Sequence, residues 1–563
     1  MPVLENEYPE FQDVADEICR AFGSPDMFIR RSRGQNYTEN GVIYVDAEGS
    51  RDIFGGVLVH EEEHLVCTPV TVERFARYAT LIAKRLGVPE KTAVELANAA
   101  ADTLVELDIA ARPDLSEWRR RRMDAAFARG EVPESKFRRE LFAITAKLHG
   151  AECAKSVEPD PKVWKTVMTV ARLDLPEEEK YVRLAAIFKP LLEEDKKAGM
   201  GGGCGLESPC PFKPTDDELR RAVENALANM DAEDARQFIK VLLAMVEMGE
   251  EGEEEGSGER EAEGRGRKAG AKSGGKGAGS VKRDIALLVE DDEEFLIRLF
   301  EEKAKRFRMS LPKSATGVTA TRPFGTKKWR SRDGARALVE GVRKTIMLGL
   351  PPIPLVTVRT DVRRKAETGE MKWAPSPIPL VVCIDTSGSV GTPRGVFEDN
   401  VSDYEMLMLI SLMDEAALSG QKMGVVLWHY RAYAIMEPVE PRKFRDLKRW
   451  LLRKWRVGCS TAIADTVEHI NKHPDRMFFV FTDGHTKEVL MEGLPRIRHG
   501  NVHFFLIQPG DRRVINEFRK AYGPEKVSVV DKLEDIPQAA LEVRRRKFRP
   551  RASAYGLREV VLA

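Results

Sequence analysis

Apolar and polar residues follow two different rhythms along this 563-residue chain. In the first half, apolar positions recur every three or four residues over 70–86, 90–111, 134–149 and 216–248. This period is typical of amphipathic helices. The same period returns over 285–307. The N-terminal region is therefore predicted to be mostly α-helical.

From about residue 376 the pattern changes to short apolar runs separated by helical periods. The runs that read as strands are 378–385, 423–429, 432–436, 476–483, 502–508 and 527–530. The helical periods between them lie at 399–418, 443–455, 462–473, 515–522 and 536–545. Strands that alternate with helices of this length predict a doubly wound, mostly parallel α/β sheet.

A charged segment, 249–283, separates the two regions; it is rich first in Glu and Gly, then in Gly, Lys and Arg. It has too few apolar side chains to offset the entropy of ordering, so a flexible, disordered linker is predicted. The predicted parts are a mainly helical domain 1–248, the linker 249–283, a helical and extended connecting segment 284–375, an α/β domain 376–543 and a basic tail 544–563.

Composition argues against several classes of protein. Acidic and basic residues balance at 90 each, so no net charge favours nucleic acid or a membrane surface as a partner. No apolar run reaches the roughly 18 residues of a membrane helix, and the first residues do not resemble a signal peptide. Seven scattered cysteines suit reduced thiols better than a disulfide framework. We expect a cytoplasmic protein.

Five oxygen-bearing side chains lie at the ends of predicted strands or just before a predicted helix: Asp385, Ser387, Ser389, Thr461 and Asp483. Residues at the carboxyl ends of parallel strands meet in one crevice of the sheet. Hydroxyl and carboxylate oxygens suit a hard cation such as Mg²⁺ or Mn²⁺. Each of these residues alone could simply cap a helix. Their joint occurrence, in order and on the right elements, favours a metal site.

The motif Asp-x-Ser-x-Ser at a strand end, a distant Thr and a later Thr-Asp-Gly resemble the von Willebrand factor A (VWA) domain. The resemblance covers the whole predicted α/β domain and implies a metal-ion-dependent adhesion site. It implies that Ser387, Ser389 and Thr461 supply hydroxyl ligands. Asp385 and Asp483 would then hold the metal mainly through water, or contact it directly in one state. One position would stay open for a carboxylate of a partner protein.

The long helical N-terminal part also resembles the CoxE-like group of prokaryotic VWA proteins, which work beside MoxR-type AAA+ ATPases. That resemblance implies a separate ATPase chain as partner, in chaperone-like or metal-insertion work. This chain carries no convincing phosphate loop of its own. The nearest match, Gly270 to Lys276, is followed by Gly277 instead of Ser or Thr, and no strand precedes it.

A second metal site is predicted near the N-terminus, where residues 60–64 form a His-Glu-x-x-His motif. On a helix, His60 and His64 lie one turn apart on one face and can bind a single Zn²⁺. Glu61 is then placed to activate a metal-bound water, as in zinc peptidases.

The third zinc ligand is expected on the helical segment 90–111, where Asn98, Asp102 and Glu106 share one face. Here the chain resembles the metallopeptidase-like domains that precede VWA-like domains in some prokaryotic proteins. Glu106 is favoured as the third ligand and Asp102 is the second choice. Two other interpretations remain: a zinc site without turnover, and an exposed acidic helix surface that binds no metal.

Two functions therefore compete. In the first, the chain binds Mg²⁺ and, through it, an acidic residue of a partner protein. In the second, it is a zinc-dependent metallopeptidase whose VWA domain recruits the substrate. Bound zinc and the role of Glu61 would discriminate between them.

Overall fold

The chain divides into two compact units, Met1–Phe295 and Leu296–Ala563. The computed structural model describes residues 4–23, 27–32, 36–39, 42–46, 50–66, 71–199, 214–255, 278–307, 326–328, 356–358, 378–388, 390–398, 400–458 and 460–548. Among these residues, no helical segment combines the length and apolarity that a membrane crossing needs.

The N-terminal unit begins with a small mixed sheet that the sequence pattern did not predict. Its strands are β1 (Leu4–Asn6), β2 (Met27–Arg31), β3 (Tyr37–Glu39) and β4 (Val42–Val45), in the order β1-β2-β4-β3. Strands of three to five residues are too short to show a clear period of two. Ile29, Ile43 and Val45 bury the sheet against the helix α1 (Gln12–Phe22) and its neighbours.

The rest of this unit is helical, as predicted. Its helices are α2 (Arg51–Val66), α3 (Val72–Leu86), α4 (Glu90–Ala110), α5 (Pro113–Ala128), α6 (Lys136–Leu148), α7 (Pro161–Arg172), α8 (Glu177–Lys197), α9 (Asp216–Asn229), α10 (Ala232–Glu255) and α11 (Ala278–Glu290). The period over 216–248 belongs to two helices, because Met230 is extended and separates α9 from α10. Helix α4 is buried along most of its length and packs against α2, α3 and α8.

Both edges of the predicted linker are helical in the structure. Helix α10 continues to Glu255, and α11 already begins at Ala278. Glutamate is a good helix former, so an acidic run can prolong a helix even without apolar residues. Residues 256–277 of the predicted linker lie outside the described residues.

The C-terminal unit contains a six-stranded mixed sheet. Its strands are β7 (Leu380–Asp385), β8 (Met423–Trp428), β9 (Ala432–Val439), β10 (Met477–Thr482), β11 (Val502–Ile507) and β12 (Val527–Val530), in the order β12-β11-β10-β7-β8-β9. All neighbours pair in parallel except β8 and β9. The predicted doubly wound, mostly parallel arrangement is thus confirmed as an α/β layout with one antiparallel edge strand. A separate pair, β5 (Thr326–Lys328) and β6 (Val356–Val358), is antiparallel.

Helices cover both faces of this sheet. They are α12 (Asp292–Ala304), α13 (Val401–Leu418), α14 (Phe444–Lys454), α15 (Ala464–Lys472), α16 (Arg512–Tyr522) and α17 (Ile536–Lys547). Two apolar clusters, one on each face, enclose the strands; every residue of β7, β8, β10 and β11 is buried. The sheet is therefore a rigid base for the loops at its carboxyl edge.

The predicted basic tail also starts later than the charge pattern indicated. Residues 544–547 belong to α17, and Arg544 is only 3% exposed. Its guanidinium donates to Glu415 Oε2 at 2.9 Å and to Ser419 Oγ at 2.8 Å. A buried ion pair thus fixes the first arginine of the run; residues 549–563 lie outside the described part of the chain.

Candidate metal centres

The ends of the central strands β7 and β10 bring two predicted site residues to one edge of the sheet. Ile384 lies opposite Phe481 in the parallel pair, so Asp385 comes level with the end of β10. Thr482 Oγ1 donates a hydrogen bond to Asp385 Oδ2 at 2.8 Å. The backbone N–H of Ser387 donates to Asp385 Oδ1 at 3.0 Å. These bonds fix the orientation of the Asp385 carboxylate.

Gly458 holds the loop that carries Thr461 against the loop that follows β7. The N–H of Gly458 donates to the carbonyl of Thr386 at 2.9 Å, and Gly458 forms a parallel bridge with Ser387. A Cβ at position 458 would lie 2.3 Å from Cγ of His429. Only glycine allows this close approach, which brings the Thr461 loop next to the Asp385 loop.

Thr461 and Asp483 lie on adjoining loops of the same edge. The Thr461 carbonyl accepts from the N–H of Lys487 at 3.0 Å. Asp483 Oδ1 accepts from the N–H of His485 at 2.9 Å. Of the five predicted oxygen-bearing residues, the structure thus places four on these neighbouring loops. Ser389 lies outside the described residues.

The electrostatics of this edge favour a cation. Burial raises the pKa of Asp385 to about 7, and the charge of Asp483 acts in the same direction. The hydrogen bonds from Thr482 and Ser387 oppose this rise only in part. A divalent cation beside these carboxylates would offset the cost of keeping them charged in a buried place. The donor set is oxygen only, and it fits Mg²⁺ or Mn²⁺.

Sequence analysis missed one acidic residue at this edge, Glu405 of α13. Its side chain is fully buried, and neither carboxylate oxygen has a hydrogen-bond partner among the described residues. Burial, together with the charges of Asp385 and Asp483, raises the pKa of Glu405 well above its usual value. One sequence signal could have found it: a single acidic residue inside the apolar run 404–413.

In the N-terminal unit, both histidines of the His-Glu-x-x-His motif are buried and meet one residue of α4. The Nε2 atoms of His60 and His64 are 3.3 Å apart. Asp102 Oδ1 lies 3.4 Å from His64 Nε2 and 3.9 Å from His60 Nε2. Two ligands bound tetrahedrally at zinc–nitrogen distances of about 2.0–2.1 Å would lie about 3.3 Å apart. The three side chains are thus spaced to hold one zinc ion.

Glu106, the favoured third ligand, contacts the opposite nitrogen of the His60 ring. Its Oε1 lies 2.9 Å from His60 Nδ1, and its Oε2 is 2.8 Å from His149 Nε2. Arg119 donates to both oxygens, with Nε 3.1 Å from Oε2. Although burial acts to raise it, these cationic and hydrogen-bonding neighbours hold the pKa of Glu106 well below its usual value.

An ionised Glu106 fixes the hydrogen positions of the two histidines. A carboxylate only accepts, so a His60 ring that pairs with Glu106 carries its hydrogen on Nδ1 and keeps a lone pair on Nε2, the ring nitrogen nearer to Asp102. His149 likewise donates through Nε2, and its Nδ1 accepts from the Ser116 hydroxyl at 2.8 Å. Carboxylates orient histidine ligands of zinc in this way. The structure thus groups Asp102 with the Nε2 atoms of both histidines, whereas Glu106 lies against the other ring nitrogen of His60.

Glu61 shares the buried environment of the histidines. Residues 60–64 are all at most 9% exposed, and Glu61 itself is 4% exposed. The interpretation of this motif as an exposed acidic surface is therefore wrong. Helix α2 is buried in part because it packs closely against α5. At Gly55 the two helices are so close that a Cβ would lie 2.4 Å from the Trp118 ring.

A further group of possible metal ligands lies in the C-terminal unit. Glu437 of β9 and the pair His469 and His473 at the end of α15 have ligand atoms within 4.8 Å of one another. Arg476 Nη1 lies 2.5 Å from Glu437 Oε2. That guanidinium already partners the carboxylate and repels a cation, so this group is the weaker candidate.

Neither a scan against models of known protein families nor a search of curated proteins finds a match to this chain. The two sites differ in their donors: one offers oxygens only, the other two imidazole nitrogens and a carboxylate.

Proposed function

We propose that the C-terminal unit is a VWA-like binding module that holds Mg²⁺ and, through it, a carboxylate of a partner protein. The observation that carries this proposal is the junction of β7 and β10. There the buried Asp385 carboxylate accepts a hydrogen bond from Thr482 at 2.8 Å, and the charge of Asp483 helps to raise the pKa of Asp385. By resemblance, Ser387, Ser389 and Thr461 complete the oxygen shell.

The residues of this edge each have a defined part in the proposal. Thr482 and the N–H of Ser387 hold the Asp385 carboxylate in place, and burial makes a bare negative charge there costly. The Ser387 and Thr461 hydroxyls are neutral and leave a bound cation part of its positive charge. An acidic side chain of a partner is the natural ligand for a hard cation that keeps exchangeable positions.

The resemblance to CoxE-like proteins suggests the partner. We propose a separate MoxR-type AAA+ ATPase, with which the chain acts in chaperone-like or metal-insertion work in the cytoplasm. Cys153 and Cys383 are buried and form no disulfide, which suits a reducing compartment. Neither nucleic acid nor a membrane enters the proposal.

A capture experiment tests this function. The full chain is immobilised and incubated with a MoxR-type AAA+ ATPase from the same organism, in Mg²⁺ or in chelator. We expect capture in Mg²⁺ only, and none by Asp385→Ala, whose fold is checked by circular dichroism. Capture in chelator, or undiminished capture by the variant, would contradict the proposal.

A second function is favoured by the His60, His64 and Asp102 cluster. We propose that the N-terminal unit binds Zn²⁺ there and acts as a metallopeptidase. Zinc, when bound, activates water as a nucleophile. Glu61 follows His60 directly and is the base of the motif by resemblance. Glu106 keeps His60 in the tautomer that presents Nε2 to the metal.

Zinc content and activity test this second function together. Elemental analysis is run on the purified chain, on His60→Ala and on Glu61→Gln, each assayed for hydrolysis of an unstructured protein. We expect zinc to be lost in the first variant and kept in the second, with hydrolysis lost in both. A native chain without zinc would end this proposal.

A further inference from the structure

Three acidic residues of helix α13 lie in strongly different surroundings. The Asp403 carboxylate accepts from backbone N–H groups, including those of Arg394 at 2.6 Å and Gly395 at 2.7 Å. Glu415 pairs with Arg544 at 2.9 Å and also with Arg545. Glu405 lies between them in sequence, is fully buried, and has no hydrogen-bond partner among the described residues. The carboxylates of Asp403 and Glu415 thus have hydrogen-bond or ionic partners, whereas the carboxylate of Glu405 has no hydrogen-bond partner in the described part of the chain.

A structural role alone does not explain Glu405. Buried carboxylates in proteins are paired with a cation or hydrogen-bonded, and even a protonated one needs partners for its O–H and C=O. The first turn of α13 is bonded to the loop that follows β7, because the N–H of Ser402 donates to the carbonyl of Val390 at 3.2 Å and the N–H of Val390 donates to the carbonyl of Ser387 at 3.0 Å. Glu405 lies one turn further along α13, and the charges that act on it are those of Asp385 and Asp483, both negative. Methionine or leucine, which follow it on α13 as Met406 and Leu407, would fill the same space without a buried polar group. The position therefore calls for a positive charge.

The positive charge that would balance Glu405 would lie beside the carboxylates of Asp385, Asp483 and Glu405. Asp385, Asp483 and Glu405 together carry up to three negative charges, while Ser387 and Thr461 bring none. A divalent cation offsets two of the three. Mg²⁺ keeps part of its water shell in proteins, so a carboxylate set back in the core can bind it through a coordinated water.

We propose that Glu405 is an additional residue of the Mg²⁺ site and binds the hydrated cation from the side of α13. This inference rests on the proposed function of the C-terminal unit. It adds to the Asp-x-Ser-x-Ser set a third carboxylate that comes from a helix behind the sheet edge. Glu405 strengthens cation binding and is satisfied only when the cation is bound.

Titration of Mg²⁺ into the zinc-loaded full chain by calorimetry tests the inference. For Glu405→Gln, which keeps the shape of the side chain, we expect Mg²⁺ affinity to fall by about 10- to 100-fold, the usual cost of losing a supporting group at a metal site. The matched control is Glu415→Gln on the same helix, about 15 Å further along its axis at 1.5 Å per residue. That variant loses two ion pairs, with Arg544 and Arg545, and should keep the Mg²⁺ affinity.

Thermal unfolding gives a second readout that a structural role would not produce. Without Mg²⁺, Glu405→Gln should unfold at the same temperature as the parent chain or higher, because the amide replaces a buried carboxyl group that has no hydrogen-bond partner among the described residues and is costly to ionise. With saturating Mg²⁺, its midpoint should rise less than that of the parent. A variant less stable than the parent by the same margin with and without Mg²⁺ would instead mark a structural role and overturn the inference.

The outcomes separate the inference from the function on which it rests. If the parent chain binds Mg²⁺ and Glu405→Gln binds it equally well, the inference is wrong and the proposed function stands. If the parent chain binds no Mg²⁺, both fall.

Discussion

Asp385 and Glu106 show how the neighbours of a buried carboxylate decide its role. Asp385 meets a hydroxyl and a second carboxylate, and its pKa rises to about 7. Glu106 is as deeply buried, yet Arg119, together with His149 and His60, holds its pKa well below the usual value. A nearby cation would therefore stabilise the charged form of the first carboxylate. The second already has a guanidinium and two imidazole rings beside it.

The raised pKa of Asp385 predicts a pH dependence of the Mg²⁺-free protein. Because the pKa is about 7 in the folded chain and 3.8 without the fold, the folded state holds the proton more tightly. The free energy of unfolding should therefore fall as pH rises from about 4 to about 7, by up to roughly 1.4 kcal/mol per unit. Urea unfolding at several pH values measures this.

In Asp385→Asn this part of the pH dependence should be absent, since the amide does not titrate. Saturating Mg²⁺ should likewise reduce it in the parent chain. Parallel curves for the parent and Asp385→Asn would show that Asp385 does not titrate in this range.

The role of Glu106 is tested by Glu106→Gln. The amide cannot serve both His60 and Arg119, so zinc affinity should fall by about 10- to 100-fold in competition with a chelator. Stability should fall by about 3–5 kcal/mol because the buried Arg119 guanidinium loses its charged partner. The control Glu117→Gln removes a half-exposed partner of Arg120 and Arg121 and should cost about 1 kcal/mol or less. Unchanged zinc affinity in Glu106→Gln would refute the orienting role.

At the scale of elements, close backbone approaches position both sites. Helix α2 approaches α5 at Gly55 and Gly56, and a Cβ at Gly56 would lie 2.2 Å from Cβ of Arg122. In the C-terminal unit, Gly458 brings the Thr461 loop against the end of β7. These contacts fix where the ligating side chains lie, although none of the glycines can bind a metal through a side chain.

Gly458→Ala should weaken the Mg²⁺ site through the loop alone. The new methyl group would meet the His429 side chain, so the loop or the ring must move. We expect a loss of about 1–3 kcal/mol in unfolding free energy, typical of overpacking, and weaker Mg²⁺ binding. Gly500→Ala is the control, since a Cβ there meets no atom within 4 Å. Equal Mg²⁺ affinity in Gly458→Ala and Gly500→Ala would argue against this coupling of loop and site.

Periodicity predicted the long elements well and the short or highly charged ones poorly. The strands β7 and β10 are continuous apolar runs, so the sequence placed Asp385 and Asp483 at their ends. Helix α5 contains four consecutive arginines, and this charged stretch obscured its apolar face. Asp102 and Glu106 share one face of α4, so spacing alone could not rank them. The structure separates them, because Asp102 lies near Nε2 of His60 and Glu106 lies near Nδ1.

At the scale of the whole molecule, the chain carries two candidate centres in two separate units. The N-terminal centre offers two imidazole nitrogens and a carboxylate, a set suited to Zn²⁺. The C-terminal edge offers hydroxyls and carboxylates, a set suited to Mg²⁺. Because the two donor sets differ, Zn²⁺ should bind to the N-terminal unit and Mg²⁺ to the C-terminal unit.

This sorting predicts selective loss of metal. His64→Ala should lose zinc, measured by elemental analysis, while Asp385→Ala keeps it at the parent stoichiometry. Loss of zinc from both variants would mean that the two sites are not independent. Retention of zinc in His64→Ala would mean that zinc binds elsewhere.

Titration of Mg²⁺ into the full chain by calorimetry tests the central claim, a Mg²⁺ site at the carboxyl edge of the C-terminal sheet, most directly. We expect the parent chain and His64→Ala each to bind one equivalent, and Asp385→Ala to bind none. No binding by the parent chain, or unchanged binding by Asp385→Ala, would contradict the claim.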